Sequence, residues 1–416
     1  MQIKKNKFLQ NVGWMYGIKA VNYIFPLLLI PYLVRVIGLE KYGLLTATQA
    51  LMGYFTILVN YGFELTATRA IAMNVSDMAA VRKEYNEVMS ARLVLLSGVG
   101  LLFFIGLWMY PAEIEYKLFL GMGFLLVIGD LFFPSWFFQG MQDMRTIAVI
   151  NFSIKSLYLL FTVVLVRTEG DYLNVILCQG MAWLISGGIS MYLIRRAYGF
   201  WFQPVFTLGR LKKQFQEGFP IFVANACGNV YSKGAVILTS LIAGNTAAGY
   251  YSLAEKICGT VASLVQPYVS VLYPSLCQKY KDMPKRFYQF LHDFYKYMAI
   301  ADVGLIACLW IFAGFISWII QGEIDDALVA LVRGMSFVTV GTIINVLLHP
   351  FILAAGRYQS IQKIYMSVSL MFLCVSIPLL HLFSYWGMVV SMVMVEYTIG
   401  LCYIYQLRKA KKEDIL

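Results

Sequence analysis

Twelve apolar runs divide this chain, at roughly 10–31, 43–67, 90–110, 117–139, 146–166, 172–194, 219–243, 249–276, 295–320, 328–354, 364–383 and 387–407. A helix needs about 20 apolar residues to cross the hydrocarbon core of a bilayer, so each run is long enough to span. Inside lipid every backbone N–H and C=O must be satisfied within the segment, which makes a helix the solution for each run. The connections between runs are too short for a large soluble domain. Of the 416 residues, 60% are hydrophobic and 13% charged, where soluble domains hold about 45 to 50% and about 25%. The expected fold class is an all-α polytopic membrane protein of about twelve transmembrane helices.

Charge sets the expected orientation. The chain carries 33 Lys and Arg against 22 Asp and Glu, a net charge of +11. In a soluble protein that excess suggests nucleic acid; here it suggests basic inner loops beside an anionic leaflet. With the N-terminus inside, the inner loops and tails hold 22 basic residues, counting Lys4, Lys5, Lys7, Arg82, Lys83, Arg92, Arg195, Arg196, Arg357, Lys363 and Lys409 among them. The outer loops hold only Arg35, Lys41, Lys117 and Arg167. Basic tails on one side require an even number of spans, so both termini are expected in the cytoplasm. Lys4, Lys5 and Lys7 before an apolar run mimic a signal peptide, but Asn11, Lys19 and Asn22 interrupt that run and no small-residue cleavage site follows, so it reads as the first span. The seven cysteines all fall in apolar stretches without a C-x-x-C pair and read as packing residues.

The longest connection, about 195 to 217, is basic and carries Phe200, Trp201, Phe202 and Phe206. It reads as an interfacial linker on the inner leaflet, or alternatively as a docking surface for a partner protein. Its midpoint position invites a search for a repeat. Gly38-Leu39-Glu40-Lys41-Tyr42-Gly43 is answered 206 residues later by Gly244-Asn245-Thr246-Ala247-Ala248-Gly249, each opening a span. Gly129, Pro134 and Gly140 are echoed by Gly341, Pro350 and Gly356. Six spans per half preserve orientation, so the expected organisation is two parallel six-helix halves, 1–205 and 206–416, around a central cavity.

Several chemistries are excluded. The two G-x-x-x-x-G segments lack the Lys and Ser or Thr of a phosphate-binding loop, being followed by Leu44-Leu45 and Tyr250-Tyr251. His292, His349 and His381 have no metal-ligand spacing, and no G-x-S-x-G nucleophile motif is present. Neither a metal, a cofactor nor a catalytic residue is expected.

The informative residues are ionisable groups inside spans: the cations Lys19, Arg69, Lys155, Lys233, Lys256, Lys296 and Arg333, and the acids Glu64, Asp130, Glu255, Asp302 and Glu396. Each costs about 2.5 to 3.5 kcal/mol at a helix centre on the insertion scale, so it must pair or face a hydrated cavity. Polar stripes accompany them. Lys19 shares a face with Asn22 and Tyr23; Asn225, Asn229 and Lys233 recur at i+4; Gln49, Gly53, Thr56, Asn60 and Glu64 form another stripe; Glu255 aligns with Ser252, Gly259, Gln266 and Ser270; and Lys155 follows Asn151. Such stripes either line a polar lumen or hold helices together by hydrogen bonds and ion pairs. Lys19, Lys155 and Lys233 are the deepest cations and read as lumenal. Lys296, Arg69 and Arg333, near span ends, can snorkel.

Asn11-Val12-Gly13-Trp14, the exit Pro31-Tyr32-Leu33-Val34-Arg35-Val36-Ile37-Gly38 with Tyr42-Gly43, and Asn60-Tyr61-Gly62-Phe63-Glu64-Leu65-Thr66-Ala67-Thr68-Arg69 resemble the N-terminal signature of the polysaccharide (O-antigen) flippases of the Wzx type. These belong to the multidrug/oligosaccharidyl-lipid/polysaccharide (MOP) exporter superfamily. The resemblance implies a flippase of the bacterial cytoplasmic (inner) membrane. It would translocate undecaprenyl-diphosphate-linked oligosaccharide repeat units of O-antigen or a related polysaccharide to the periplasmic leaflet by alternating access. Its partners would be the lipid-linked substrate, membrane lipids and other polysaccharide assembly proteins. Related lipid II flippases place lumenal cations on the first, second and eighth spans, which by span are Lys19, Arg69 and Lys256 here.

An anionic diphosphate needs a wet cationic path through about 30 Å of hydrocarbon, which the deep lysines supply. With no nucleotide site, an ion gradient is the expected drive, bound at Asp130 or Glu396, with Glu64 and Glu255 as further carboxylates. A multidrug or small-molecule antiporter would favour acids over the observed cations. A membrane polysaccharide polymerase or ligase would need a large outer loop.

Overall fold

The computed structural model describes residues 2–415 apart from 267, 268, 270, 271, 273–275, 278 and 281–283. Side chains are described except those of residues 2–12, 16, 23, 224, 284–286, 292, 294–297, 299, 300, 358, 359, 414 and 415. Lys4, Lys5, Lys7, Tyr23, Ser270 and Lys296, singled out above, therefore have side chains outside the described residues. Every regular element among the described residues is helical. Among the described residues nine helices are long and apolar enough to cross a membrane, or ten with the bent pair Leu208–Val223 and Asn225–Ala243 taken as one span. The protein is an all-α polytopic membrane protein.

The first helix, α1 (Gln2–Asn60), contains two of the apolar runs and breaks at Gly38, whose φ of 75° and ψ of 167° no residue with a Cβ adopts readily. Pro26 and Pro31 remain inside it. Six helices follow: α2 (Phe63–Met73), α3 (Met78–Met109), α4 (Ile114–Leu131), α5 (Ser135–Gly140), α6 (Met144–Leu165) and α7 (Tyr172–Tyr198). Their starts are written locally. Asp77 accepts from the amides of Ala79 and Ala80 to cap α3, and Asp143 accepts from Thr146 to cap α6. Gly199 ends α7 in the left-handed region. Then come α8 (Leu208–Ala243), α9 (Asn245–Ser263), α10 (Pro284–Gln321), α11 (Asp326–Ala354), α12 (Tyr358–Phe383) and α13 (Tyr385–Ile415).

Two compact units result: Met1–Gly38 with Thr48–Ala226, and Leu39–Ala47 with Cys227–Leu416. In the first, α4 packs on α3 and α7, and α6 packs on α7. In the second, α11 packs on α10 and α13, and α12 packs on α13. The same pairing thus recurs, and its registers correspond. A Cβ on Gly129 of α4 would lie 2.6 Å from the Trp183 Cβ of α7, and one on Gly341 of α11 would lie 2.7 Å from the Glu396 Cβ of α13. Only the smallest residue allows helices this close. The proline echo diverges: Pro134 separates α4 from α5, whereas α11 runs through Pro350. The positive φ that Gly356 adopts falls in the first unit on Gln142 rather than Gly140.

The connection after α7 is shorter than the sequence suggests, because α8 starts at Leu208. It is also strapped to the first unit. The amides of Gln203 and Val205 donate to Asn86 Oδ1 and Ser90 Oγ of α3 at 2.9 and 2.8 Å, and Gln214 Nε2 donates to Glu84 at 3.0 Å. Phe200 is buried against Tyr85 and Phe137, with ring centroids 5.4 and 6.0 Å away. Trp201 and Phe206 stay exposed. The buried ring and the amide bonds anchor the segment, while the two exposed rings suit an interfacial position.

Candidate functional site

In the first unit three elements bring Asn60, Arg92 and Asp130 together. One terminal nitrogen of Arg92 donates to Asn60 Oδ1 at 2.6 Å, to Asp130 Oδ2 at 3.0 Å and to the Asp130 carbonyl at 3.1 Å. The other donates to the Leu131 carbonyl at 3.2 Å, and Asn60 Nδ2 donates to Asp130 Oδ2 at 3.1 Å. The residue is 1% exposed. Counting Arg92 as an inner-loop cation is therefore corrected. Because α3 begins at Met78, residue 92 lies about four turns into the helix, where a guanidinium survives by pairing. The same packing gives Asp130 a permanent counter-charge. Glu64, exposed in the first turn of α2, is close enough to interact electrostatically with Asp130 and Arg92. Arg69 is exposed on the same helix. Lys19 and Lys155 are half-buried in this unit, each engaged by a neighbour. Part of the second-span stripe holds helices together, as Gln49 Nε2 donates to Gln179 Oε1 at 2.8 Å.

In the second unit the repeated glycine segments meet each other. A Cβ on Gly43 would lie 1.8 Å from the Asn245 carbonyl oxygen, and one on Gly249 would lie 2.4 Å from that of Leu39. Thr46 donates to Ser252 beside them. Lys256 Nζ donates to the hydroxyl of buried Tyr42 at 3.0 Å and stands 5.1 Å from the ring centroid. Glu255 couples electrostatically to Lys256 and to half-buried Lys233. The structure therefore collects Lys233, Glu255, Lys256 and Tyr42, with one carboxylate facing two ammonium groups.

Deeper in that unit Glu396 is 7% exposed and accepts from Asn345 Nδ2 at 2.6 Å. Among the described residues it forms no ion pair. A chain of hydroxyls lies near it: Tyr403 donates to Tyr365 at 3.2 Å and is 3.0 Å from His349 Nδ1. The two deep carboxylates thus differ in kind, since Asp130 is neutralised by Arg92 and Glu396 is held by a neutral amide. Sequence reasoning missed Arg92 and Asn345. Asn345 was visible as a lone amide in an apolar run; Arg92, at the edge of one, was not. No group of three or more His, Cys, Asp or Glu among the described residues could hold a metal.

Residues 8–279 match the family described as polysaccharide biosynthesis protein. A Shigella dysenteriae protein named "Putative O-antigen transporter" is 26% identical over 397 residues, 94% of this chain and 98% of that one. An Escherichia coli (strain K12) protein of the same name is 28% identical over 278 residues, 66% of each chain. Among solved structures, an inward-facing multidrug resistance MATE family transporter of the MOP superfamily superposes with a TM-score of 0.67 at 13% identity, covering 93% of this chain and 98% of that one. The lipid II flippase MurJ in an inward closed conformation superposes with a TM-score of 0.66 at 13% identity, covering 96% and 87%. A family match over more than half its length, on a chain of many apolar helices, identifies the protein as a multi-pass membrane member of the polysaccharide biosynthesis protein family, with the fold of the MOP-superfamily transporters.

Proposed function

We propose that the protein translocates undecaprenyl-diphosphate-linked oligosaccharide repeat units from the cytoplasmic to the periplasmic leaflet by alternating access, with both termini in the cytoplasm. The observation that carries this reading is the placement of three half-buried ammonium groups on apolar helices, Lys19 and Lys155 in the first unit and Lys233 in the second. A diphosphate is doubly anionic and heavily hydrated, and charge-assisted hydrogen bonds from lysines replace the water it sheds. Lysine suits a carrier better than arginine, because a flexible point charge binds without the bidentate grip that slows release. Arg69 and Lys256 add cations to the path, although Lys256 also anchors Tyr42.

Coupling to an ion gradient falls to Glu396. A carboxylate without a fixed counter-cation exchanges H⁺ or Na⁺ when the site empties, whereas Asp130 is already neutralised by Arg92. The end-to-end match with a relative named for O-antigen transport supports the glycan as cargo. The activity is transport without covalent chemistry.

The test is a proteoliposome assay with a defined polyprenyl-diphosphate glycan. Transfer of the sugar to the leaflet where a lectin or periodate reaches it, dependent on the protein and on the three lysines, is the expected result. Efflux of cationic dyes without glycan transfer would overturn the reading.

A further inference from the structure

Where α12 begins and α13 ends, the second unit contains a cavity of about 420 Å³ that the transport reading does not use. Its mouth carries Arg357, Lys363 and Lys409. Among the described residues one acid answers them: Glu413 pairs with Arg357 and lies 4.0 Å from Lys409, which leaves an excess of positive charge among those side chains. The start of α12, at Arg357, adds the positive end of its dipole. Beyond the mouth, Ser360 donates to Gln406 at 3.3 Å, and the walls then become mainly apolar at Ile364, Val368 and Met371, with the small hydroxyls of Ser367 and Thr398 among them. From residue 357 to residue 371 the helix rises about 21 Å. The cavity therefore follows α12 from the cationic end of its span into the hydrocarbon depth, polar at one end and greasy at the other.

That gradient is the shape of an amphiphile. A free phosphate or diphosphate would use only the mouth, and a glycan would leave the apolar wall at Ile364, Val368 and Met371 without a partner. A glycerophospholipid places its phosphodiester among the cations and its chains along Ile364, Val368 and Met371. Basic pockets between spans on the inner face are a recognised means of holding anionic headgroups. With both termini in the cytoplasm, as proposed above, this mouth lies at the inner leaflet.

We propose that the cavity between α12 and α13 is a binding site for one anionic glycerophospholipid of the inner leaflet, held through its phosphate by Arg357, Lys363 and Lys409.

The experiment is native mass spectrometry on the purified full chain, titrated separately with phosphatidylglycerol, phosphatidylethanolamine, undecaprenyl diphosphate and inorganic phosphate. Phosphatidylglycerol is expected to be retained at least about tenfold better than phosphatidylethanolamine. The double substitution Lys363→Gln with Lys409→Gln leaves the Arg357 and Glu413 pair intact and abolishes that preference. Ser367→Phe, which fills the cavity without altering charge, reduces retention as well. The pair Lys411→Gln with Lys412→Gln removes the same charge outside the cavity and leaves retention unchanged. Equal losses in the two double substitutions would reduce the site to general surface charge and overturn the proposal. So would tighter retention of undecaprenyl diphosphate than of phosphatidylglycerol, displacement by inorganic phosphate at equal concentration, or no effect of Ser367→Phe. None of these outcomes depends on transport, so the failure of this site and the failure of the flippase reading are separable.

Discussion

Thr46 and Ser252 stand 206 positions apart and share a hydrogen bond, hydroxyl to hydroxyl, at 3.1 Å. The same interval separates Gly38 from Gly244, whose backbones take nearly one conformation, φ 75° and ψ 167° against φ 91° and ψ 167°. It also separates Gly43 from Gly249, each of which presses on the backbone of the other's segment. The two glycine segments thus pack backbone to backbone inside the second unit. Glycine is required there because the opposing backbone occupies the place of a Cβ.

Gly43→Ala and Gly249→Ala should each destabilise the protein by about 1 to 3 kcal/mol, the usual range for overpacking. Gly188→Ala and Gly259→Ala, whose added Cβ meets nothing within 4 Å, should be neutral or slightly stabilising. Thermal unfolding in detergent separates the two classes. Because Gly43 and Gly249 share neighbours, their double variant should depart from additivity.

Breaking the Arg92 and Asp130 pair should cost more. Arg92→Met leaves a buried carboxylate without its cation and should destabilise by about 3 to 5 kcal/mol, whereas joint replacement, Arg92→Met with Asp130→Leu, should recover much of the loss. The measurement is a double-mutant cycle on unfolding free energy. Additive single losses would show that the ion pair carries no coupling.

Asp325 makes stability depend on pH. Partial burial raises its pKa, but hydrogen bonds from the Tyr250 hydroxyl at 2.6 Å and from the amides of Leu328 and Ala327 outweigh burial and set it below the usual carboxylate value. A depressed folded pKa contributes stability above the unfolded value of about 3.9, and that stability is lost as pH falls through the folded pKa. Asp325→Ala should therefore lower stability at neutral pH by about 1 kcal/mol through the lost N-cap. It should also flatten the acid limb of the pH profile, which unfolding followed from pH 7 downward would record.

Lys19→Ala and Lys233→Ala should each sharply reduce glycan export with the protein still inserted, each lysine contributing about 1 to 3 kcal/mol to diphosphate binding. Lys→Arg at either position should keep a substantial part, since the charge persists. Normal export in the double Ala variant at equal abundance would remove both residues from the site.

Glu396→Gln should abolish the response of export to a collapsed ion gradient while leaving residual, gradient-independent exchange. Asp130→Asn should act instead through stability, because its carboxylate is committed to Arg92. A gradient response that survives in Glu396→Gln would assign coupling elsewhere.

The order of apolar runs was enough to establish the membrane class and the helical content, because lipid admits few alternatives to a helix for each run. The matched glycine punctuation was legible as well. Gly38 and Gly244 mark a backbone conformation that few other residues adopt, so identical punctuation 206 residues apart carries structural meaning without any contact information. What the linear pattern could not supply was pairing across helices. Arg92 looked like one more loop cation, since a place at the edge of an apolar run says nothing about which neighbour it faces. Only the packing of α3 against α4 brings it to Asp130. In the same way, Asp130 and Glu396 are equivalent in sequence, each a lone acid in a greasy span, and the tertiary structure separates them by giving one a guanidinium and the other an amide. A span is determined by its own residues, while the charge state of a site within it is determined by rotation and depth relative to neighbouring helices, quantities that arise only when the helices pack.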